Sequence, residues 1–411
     1  MTEDTHRQTT DVDAVVDSID REETIGLLGD LVGIESPYFH EGEIVEFVHG
    51  WLAARGLDPE YHPVSDPEVT GYEGRNVVVN LEGSDPTAPT LLINAHVDTV
   101  EIVDTWEEDP LSGRIEDGRL YGQGAADMKA GLAAAMVTVA ALAEADLAGD
   151  VRFAAVVDEE GPYGLGTDQL LRDGLVDDCD MAVVTEPGPA LARDDVESPA
   201  LIVGARGRFL YDIDVTGRAA HGSTPDRGIN AVLDAGRVAR ALTEMPLGQH
   251  PDLGSGSICP LAIEGGSETL SVPAHCRLVV DRHVVLGETE RGVIAEAEAA
   301  IEALDLDSSV SVGLREVPHP GARYGPYVVP RDHPLVLGLS RATESVTGRA
   351  PAISYLLSVG DFNYLGHRAD VPTVILGPDG GNLHSAGEWV DLDDTVQVAR
   401  ILGAGAVDLL T

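Results

Sequence analysis

Lysine is almost missing from this chain of 411 residues: Lys129 is the single one, and every other basic residue is arginine. With 71 acidic against 26 basic residues, the formal net charge is -45 and the sequence pI is near 4.3. That balance argues against nucleic acid or an anionic membrane as a partner, because like charges repel. The acids are spread along the whole chain. This reads as a surface adapted to a high-salt cytoplasm, where counterions screen self-repulsion; a specific cationic partner would instead gather acids into one patch. Cysteine is scarce as well. Cys179, Cys259 and Cys276 are too few and too scattered for a disulfide framework or a zinc knuckle, and read as thiols in a reducing compartment. No apolar run approaches the roughly 20 residues of a bilayer span. The opening MTEDTHRQTTDVDAVVDSID is acidic, where a secretory signal is basic and then hydrophobic. The expected location is the cytoplasm.

What is present starts with 43% hydrophobic residues, enough for a sizeable core divided into two domains. Four apolar runs stop at residue types that bind metals. LLINAHVD ends at His96 and Asp98, VRFAAVVDEE at Glu159 and Glu160, MAVVTEP at Glu186, and VPTVILGPDGGNLH leads to His384. In open α/β sheets the ligand crevice lies beyond the carboxyl ends of the strands, so these side chains are expected to converge.

Apolar spacing predicts helices over about Val12 to Ile34 and Glu41 to Arg55, strands at Asn76 to Leu81 and Thr90 to His96, and an alanine-rich helix from Lys129 to Ala145. The texture changes from about Val203 to Arg323. Strand-like GRFLYDIDVTG, a helix near Ile229 to Thr243, strand-like ICPLAIEGG and HCRLVVDRHVV, a helix at Glu288 to Leu304 and strand-like SSVSVGLREV form a split βαβ pattern. It interrupts the first domain, which resumes near Tyr327 with a helix from Pro334 to Val346 and a last strand from Thr373 to Leu376. The expected fold is α/β: a mixed twisted sheet flanked by helices, in residues 1–202 and 324–411, with a ferredoxin-like α+β domain inserted at 203–323. No repeat or low-complexity segment interrupts this.

Each candidate residue has an ordinary reading beside the chemical one. Asp98, two residues beyond His96 on the same extended face, suits a carboxylate that holds the second ring nitrogen of a metal-bound histidine. Asp127 at the start of the alanine-rich helix reads equally as an N-cap. Glu159 and Glu160 are adjacent and face different directions, so one can bind metal while its neighbour serves as base, or both can be a solvated turn. Glu186 before Pro187 can be a turn acid, and His384 a surface histidine. Jointly, two histidines and three carboxylates at strand ends or helix starts suit a pair of divalent ions, zinc first, with cobalt or manganese as alternatives. Gly122 and Gly124 do not continue into a dinucleotide fingerprint.

HVDTV, YGQGAADMKAG, DEEG, TEPG, HGSTPDRGINA and LHSAGEWV, in this order, resemble the M20 metallopeptidase family, which includes acetylornithine deacetylases, succinyl-diaminopimelate desuccinylases, aminoacylases and glutamate carboxypeptidases. The resemblance spans nearly the whole chain. It implies a zinc-peptidase-like catalytic domain with an inserted lid and dimerisation domain. His96 and Glu186 would hold one metal, and Glu160 and His384 the other. Asp127 would bridge them through a cis Asp127-Met128 peptide. Glu159 would be the general base, taking a proton from a water shared by the metals and returning it to the leaving amine. His221, otherwise an exposed loop histidine, matches the residue that reaches across a homodimer to stabilise the oxyanion. Lys129 is assigned no chemistry.

Two positions depart from the family pattern. GGSETLSVP has Leu270 where asparagine is common, and DRHVVLGE has His283 where arginine is common. Arg282 does not substitute, because strand neighbours point to opposite faces. In relatives these polar residues hold the substrate carboxylate, with bidentate geometry that histidine cannot copy. Either the substrate lacks that carboxylate, or Arg206, Arg208 or Arg227 supplies the clamp. The implied activity is hydrolysis of a small amide, by deacylation of an N-acyl amino acid or related amine. A dipeptidase or carboxypeptidase shares the machinery; a catalytically silent metal-binding homologue is the reading from another class.

Overall fold

The computed structural model describes residues 12–266, 270–317 and 323–411. These divide into two compact units: one holds the described residues up to Ala205 together with Tyr327–Thr411, the other Arg206–Val317 with Arg323–Pro326.

The first unit is built on a mixed sheet, nine-stranded among the described residues. Its centre is four mutually parallel strands in the order Asp150–Val156, Thr90–His96, Met181–Val184 and Thr373–Ile375. Thr90–His96 is buried along its whole length, as a parallel strand covered on both faces must be. Antiparallel strands extend both edges: Tyr72–Leu81 and Glu60–Asp66 on one side, Ala200–Ala205 and Tyr327–Val328 on the other. The common direction of the four central strands brings the ends of the chemistry-bearing runs to one edge of the sheet.

Helices Ala130–Leu142 and Leu392–Leu410 pack on this sheet and on one another. The alanine-rich helix stands close because Gly131 has no side chain: a Cβ there would lie 1.8 Å from the Thr185 carbonyl oxygen. Residues Ala125–Leu142 are long and apolar enough to cross a membrane, but 89% of that window is buried inside the fold, which is where a core helix belongs.

Local chemistry changed several expectations. The single helix expected over Val12 to Ile34 is two, residues 12–18 and Arg21–Val32, because Asp20 adopts an extended backbone and its side chain accepts from the Glu23 amide. Asp127 is not an N-cap. Residues Ala125–Lys129 form a π-turn in which Asp127 and Met128 are non-helical, and the regular helix begins at Ala130. The Asp127-Met128 peptide is cis. Thr373–Ile375 is not the last strand, since Gly380–Gly381 and Trp389–Asp391 pair after it in a small separate sheet.

The second unit contains strands Gly207–Thr216, Ser257–Gly265, His275–Val284 and Ser309–Leu314, with helices Ala231–Glu244 and Glu290–Glu302. Its sheet is antiparallel throughout, with Gly207–Thr216 between His275–Val284 and Ser309–Leu314 and with Ser257–Gly265 at an edge. This is the split βαβ topology. Alternating residues Phe209, Tyr211, Ile213 and Val215 meet Leu278, Val280 and the helices in its core. Arg282 points into that core, fully buried, and donates to the His283 carbonyl and to Glu288. His283 lies on the other face, beside Asp281 at 3.4 Å.

Candidate metal centre

The centre is assembled at the ends of the parallel strands. His96 closes its strand with 1% exposure, and its Nε2 has no hydrogen-bond partner. That nitrogen faces Asp127 Oδ1 at 3.4 Å, Glu186 Oε1 at 3.6 Å and Glu159 Oε2 at 4.0 Å. His384 Nε2 faces Asp127 Oδ2 at 3.3 Å and Glu160 Oε1 at 2.9 Å. Two ligand atoms about 2.1 Å from a tetrahedral ion stand roughly 3.4 Å apart. The His96 distances to Asp127 and Glu186 are therefore too long for good hydrogen bonds but suit edges of a coordination tetrahedron. A buried, unpartnered imidazole nitrogen among carboxylate oxygens fits a divalent cation in chemistry and in spacing.

Asp127 joins the two halves, since one of its oxygens faces His96 and the other faces His384. Its backbone is set by Glu388, which the sequence reading missed. The Glu388 carboxylate accepts from the amides of Gly124 at 2.8 Å, Ala126 at 2.9 Å and Asp127 at 3.0 Å, at 1% exposure. The only signal for it was its place in LHSAGEWV. Asp98 also works differently from expectation. Its backbone carbonyl, not its carboxylate, approaches His96 Nδ1 at 3.0 Å, while the nearest carboxylate oxygen is at 3.6 Å. The carboxylate instead accepts from the amides of Glu159 at 3.1 Å and Glu160 at 2.9 Å, fixing the turn that carries both.

Asp158, at φ 61, precedes that pair and redirects the chain. Glu160 is thereby sent to His384, and Glu159 toward His96. By spacing alone Glu159 also groups with His96 and Glu186 as a ligand set, beside the set His96, Asp127 and Glu160. Its longer approach to His96 and the bond its Oε1 accepts from the Asp361 amide, at 3.3 Å, distinguish it. His384 sits at φ 56 in its glycine-rich loop, half exposed where His96, Asp127 and Glu186 are buried. His221 belongs to the second unit, on an exposed loop, with Nδ1 bonded to Ser223 Oγ at 2.7 Å. Leu270 is 88% exposed and lies beside it, its carbonyl accepting from the Gly222 amide.

Crowding of like charge governs the protonation of this cluster. Burial, then the charge of Asp127, pushes Glu160 up to about 8 and raises Glu186 well above the carboxylate range. Burial also raises Glu159, against the opposing influence of His96. Asp127 goes the other way: burial opposes its charge, but contacts with His384 and His96 outweigh burial and hold it well below the usual range. His384 is pushed up to about 10 by Asp127 and Glu160. Lys129 is buried with Nζ donating to the Ile34 carbonyl at 2.6 Å, and burial brings it down to about 7 against the pull of Glu388 and Asp98. Protons therefore sit where cations would otherwise balance the carboxylates.

Known proteins resemble this chain over most of its length. A deformylase of Bacillus subtilis (strain 168), named for N-formyl-4-amino-5-aminomethyl-2-methylpyrimidine, is 28% identical over 408 residues, 93% of each chain. A succinyl-diaminopimelate desuccinylase of Methylorubrum extorquens is 28% identical over 376 residues, 88% of this chain and 92% of its own. Among solved structures, the aminopeptidase PepT of Bacillus cereus ATCC 10987 superposes with a TM-score of 0.76 at 22% identity, over 95% of this chain and 99% of its own. The Bacillus subtilis YXEP protein, described as a dinuclear metal-binding peptidase from the M20 family, gives 0.70 at 16% identity, over 95% and 98%. At those identities the structures carry the fold alone. The profile described as peptidase family M20/M25/M40 matches residues 92–406, more than half of the chain, and the protein belongs to that family of metallohydrolases.

Proposed function

We propose that this metallohydrolase removes the acyl group from a small N-acyl amine, with His96, Glu186 and Asp127 holding one divalent cation and Glu160, His384 and Asp127 the other. One observation carries the reading: the two oxygens of Asp127 face two different histidines. Zinc suits the mixed histidine and carboxylate donors best. Bound there, the cations supply Lewis acidity and a water of lowered pKa. Glu159 would accept a proton on Oε2 from the water whose oxygen bonds the acyl carbon, and would deliver that proton to the amine nitrogen as the C–N bond breaks, giving an acid and an amine. A merely structural metal site has no use for such a free carboxylate, which speaks against a silent homologue.

The inserted unit informs the substrate. Leu270, exposed beside His221, and His283 replace the asparagine and arginine that the resemblance to the family would lead one to expect as a carboxylate clamp. A substrate without that carboxylate fits, and the name of the deformylase relative describes an N-formyl aminopyrimidine in which no carboxylate appears. A dipeptide would need another clamp. Arg206 is engaged with the Leu253 carbonyl, whereas Arg227 is exposed on the turn Pro225–Arg227, four to six residues after His221. We read the second unit as the surface of a homodimer in which His221 serves the oxyanion. The exposed Leu233, Leu261 and Ile263 on it support this, at 68%, 57% and 51% exposure. A cytoplasm of high salt is the setting that the charge favours.

Glu159→Gln tests the base. The variant is expected to keep both metals and lose hydrolysis of N-formyl and N-acetyl amines by a factor of about 100 or more. Metal analysis with turnover at saturating substrate checks this, and undiminished turnover would remove Glu159 from its role.

A further inference from the structure

Glu159 is held from behind by a buried chain of hydrogen bonds. Its Oε1 accepts from the Asp361 amide at 3.3 Å. The Asp361 side chain is itself tied down: Thr167 Oγ1 donates to Asp361 Oδ2 at 2.5 Å, and Asn94 Nδ2 donates to Thr167 Oγ1 at 3.3 Å. Asn94, Thr167 and Asp361 are at most 1% exposed. The Asn94 amide thus donates to the Thr167 oxygen, and the Thr167 hydroxyl in turn donates to Asp361. Asn94 lies two residues before His96 on the same strand, which puts the two side chains on one face of the sheet.

Steric detail agrees. The residue before Asp361 is Gly360, and a Cβ there would stand 2.7 Å from Glu159 Oε1, so the backbone passes directly over the carboxylate. Any residue but proline at 361 would offer an amide; what the aspartate adds is the anchor to Thr167.

On the reading of Glu159 as the base, we infer that Asp361 is a positioning residue: through Thr167 and Asn94 it ties the backbone that grips Glu159 Oε1 to the strand that ends in His96. With Oε1 occupied by an N–H, Oε2 is the oxygen that takes the proton, and it is the one that faces His96 at 4.0 Å. The chain keeps that oxygen in register with the metal ligands. Loss of an anchor behind a reacting group characteristically costs ten- to a hundredfold, because the group remains present but is less well aimed.

Thr167→Val removes the hydroxyl at constant volume, Asp361→Ala removes the same bond from the other side, and Thr167→Ser restores a hydroxyl. Each is loaded with zinc and assayed, beside Glu159→Gln, on whichever N-formyl or N-acetyl amine the parent protein hydrolyses best. Thr167→Val and Asp361→Ala are expected to bind two metals, with kcat down about tenfold or more and KM within about twofold, while Thr167→Ser recovers most of kcat. Parental kcat in Thr167→Val or Asp361→Ala overturns the inference, as does Thr167→Ser impaired as severely as Thr167→Val. If Glu159→Gln is inactive while both anchor variants are unimpaired, the positioning role alone fails. If Glu159→Gln itself keeps full turnover, the reading of the base fails and takes this role with it.

Discussion

At Asp127 each oxygen meets a different imidazole, and burial and neighbouring charge shift the protonation of the residues around it. This gives the metal-free protein a definite pH response. Burial raises Glu41 to about 7 and Asp158 to about 8, with the charge of Asp98 adding to both, and burial with Asp127 raises Glu160 to about 8. In the unfolded chain such groups titrate near 4. Between about pH 4.5 and 8 the folded protein therefore holds protons that the unfolded chain has released, and stability falls as pH rises through that window. Cations that displace the proton from Glu160 relieve part of this loss. The gap in Tm between zinc-loaded and metal-free protein is expected to widen steadily from pH 5 to pH 8; paired thermal melts measure it, and a constant or shrinking gap contradicts the assignment. At this scale the sequence was informative where a residue type had a strand end to explain it, as with His96 and Glu186. For Glu388 it offered only a place in LHSAGEWV and no role, since the three accepted amides come from residues more than 260 positions away.

Between residues and fold stand the elements, and here legibility followed periodicity. The parallel strands are continuous apolar runs, and the split βαβ unit alternates cleanly, so both could be read. What the sequence concealed is irregular. The alanine-rich pattern runs back to Lys129 without a break, yet the backbone turns through residues 125–129 before the helix starts at Ala130. Propensity favoured helix there, but three amides bonded to Glu388 hold the segment open. A carboxylate accepting several amides is worth more than the few tenths of a kcal/mol that separate residue propensities, so tertiary contact decides. The strand Glu60–Asp66 was missed for another reason: at the edge of the sheet it carries Glu60, His62 and Pro63 and buries only Val64 and Asp66.

Over the whole molecule the dominant quantity is a net charge of -45 on 411 residues. Each ion pair offsets little of it, because most pairs are exposed, as Arg21 with Asp393 and Arg240 with Glu244 are. On the proposal of a high-salt setting, screening supplies the rest. The Debye length is about 3 Å at 1 M salt and about 10 Å at 0.1 M, so dilution restores repulsion among neighbouring carboxylates. A Tm that falls by many degrees on dialysis from molar to 0.1 M sodium chloride is expected, and an unchanged Tm would refute adaptation to salt.

The account rests most heavily on a pair of cations arranged around Asp127, with Glu159 outside their coordination. Anomalous scattering from crystals of the zinc-loaded protein addresses this directly. Two zinc peaks roughly 3.5 to 4 Å apart are expected, one bound by His96 and Glu186, the other by Glu160 and His384, both touching Asp127, with no bond from either to Glu159. A single peak, or a zinc bound to Glu159 in place of Glu186, would contradict it.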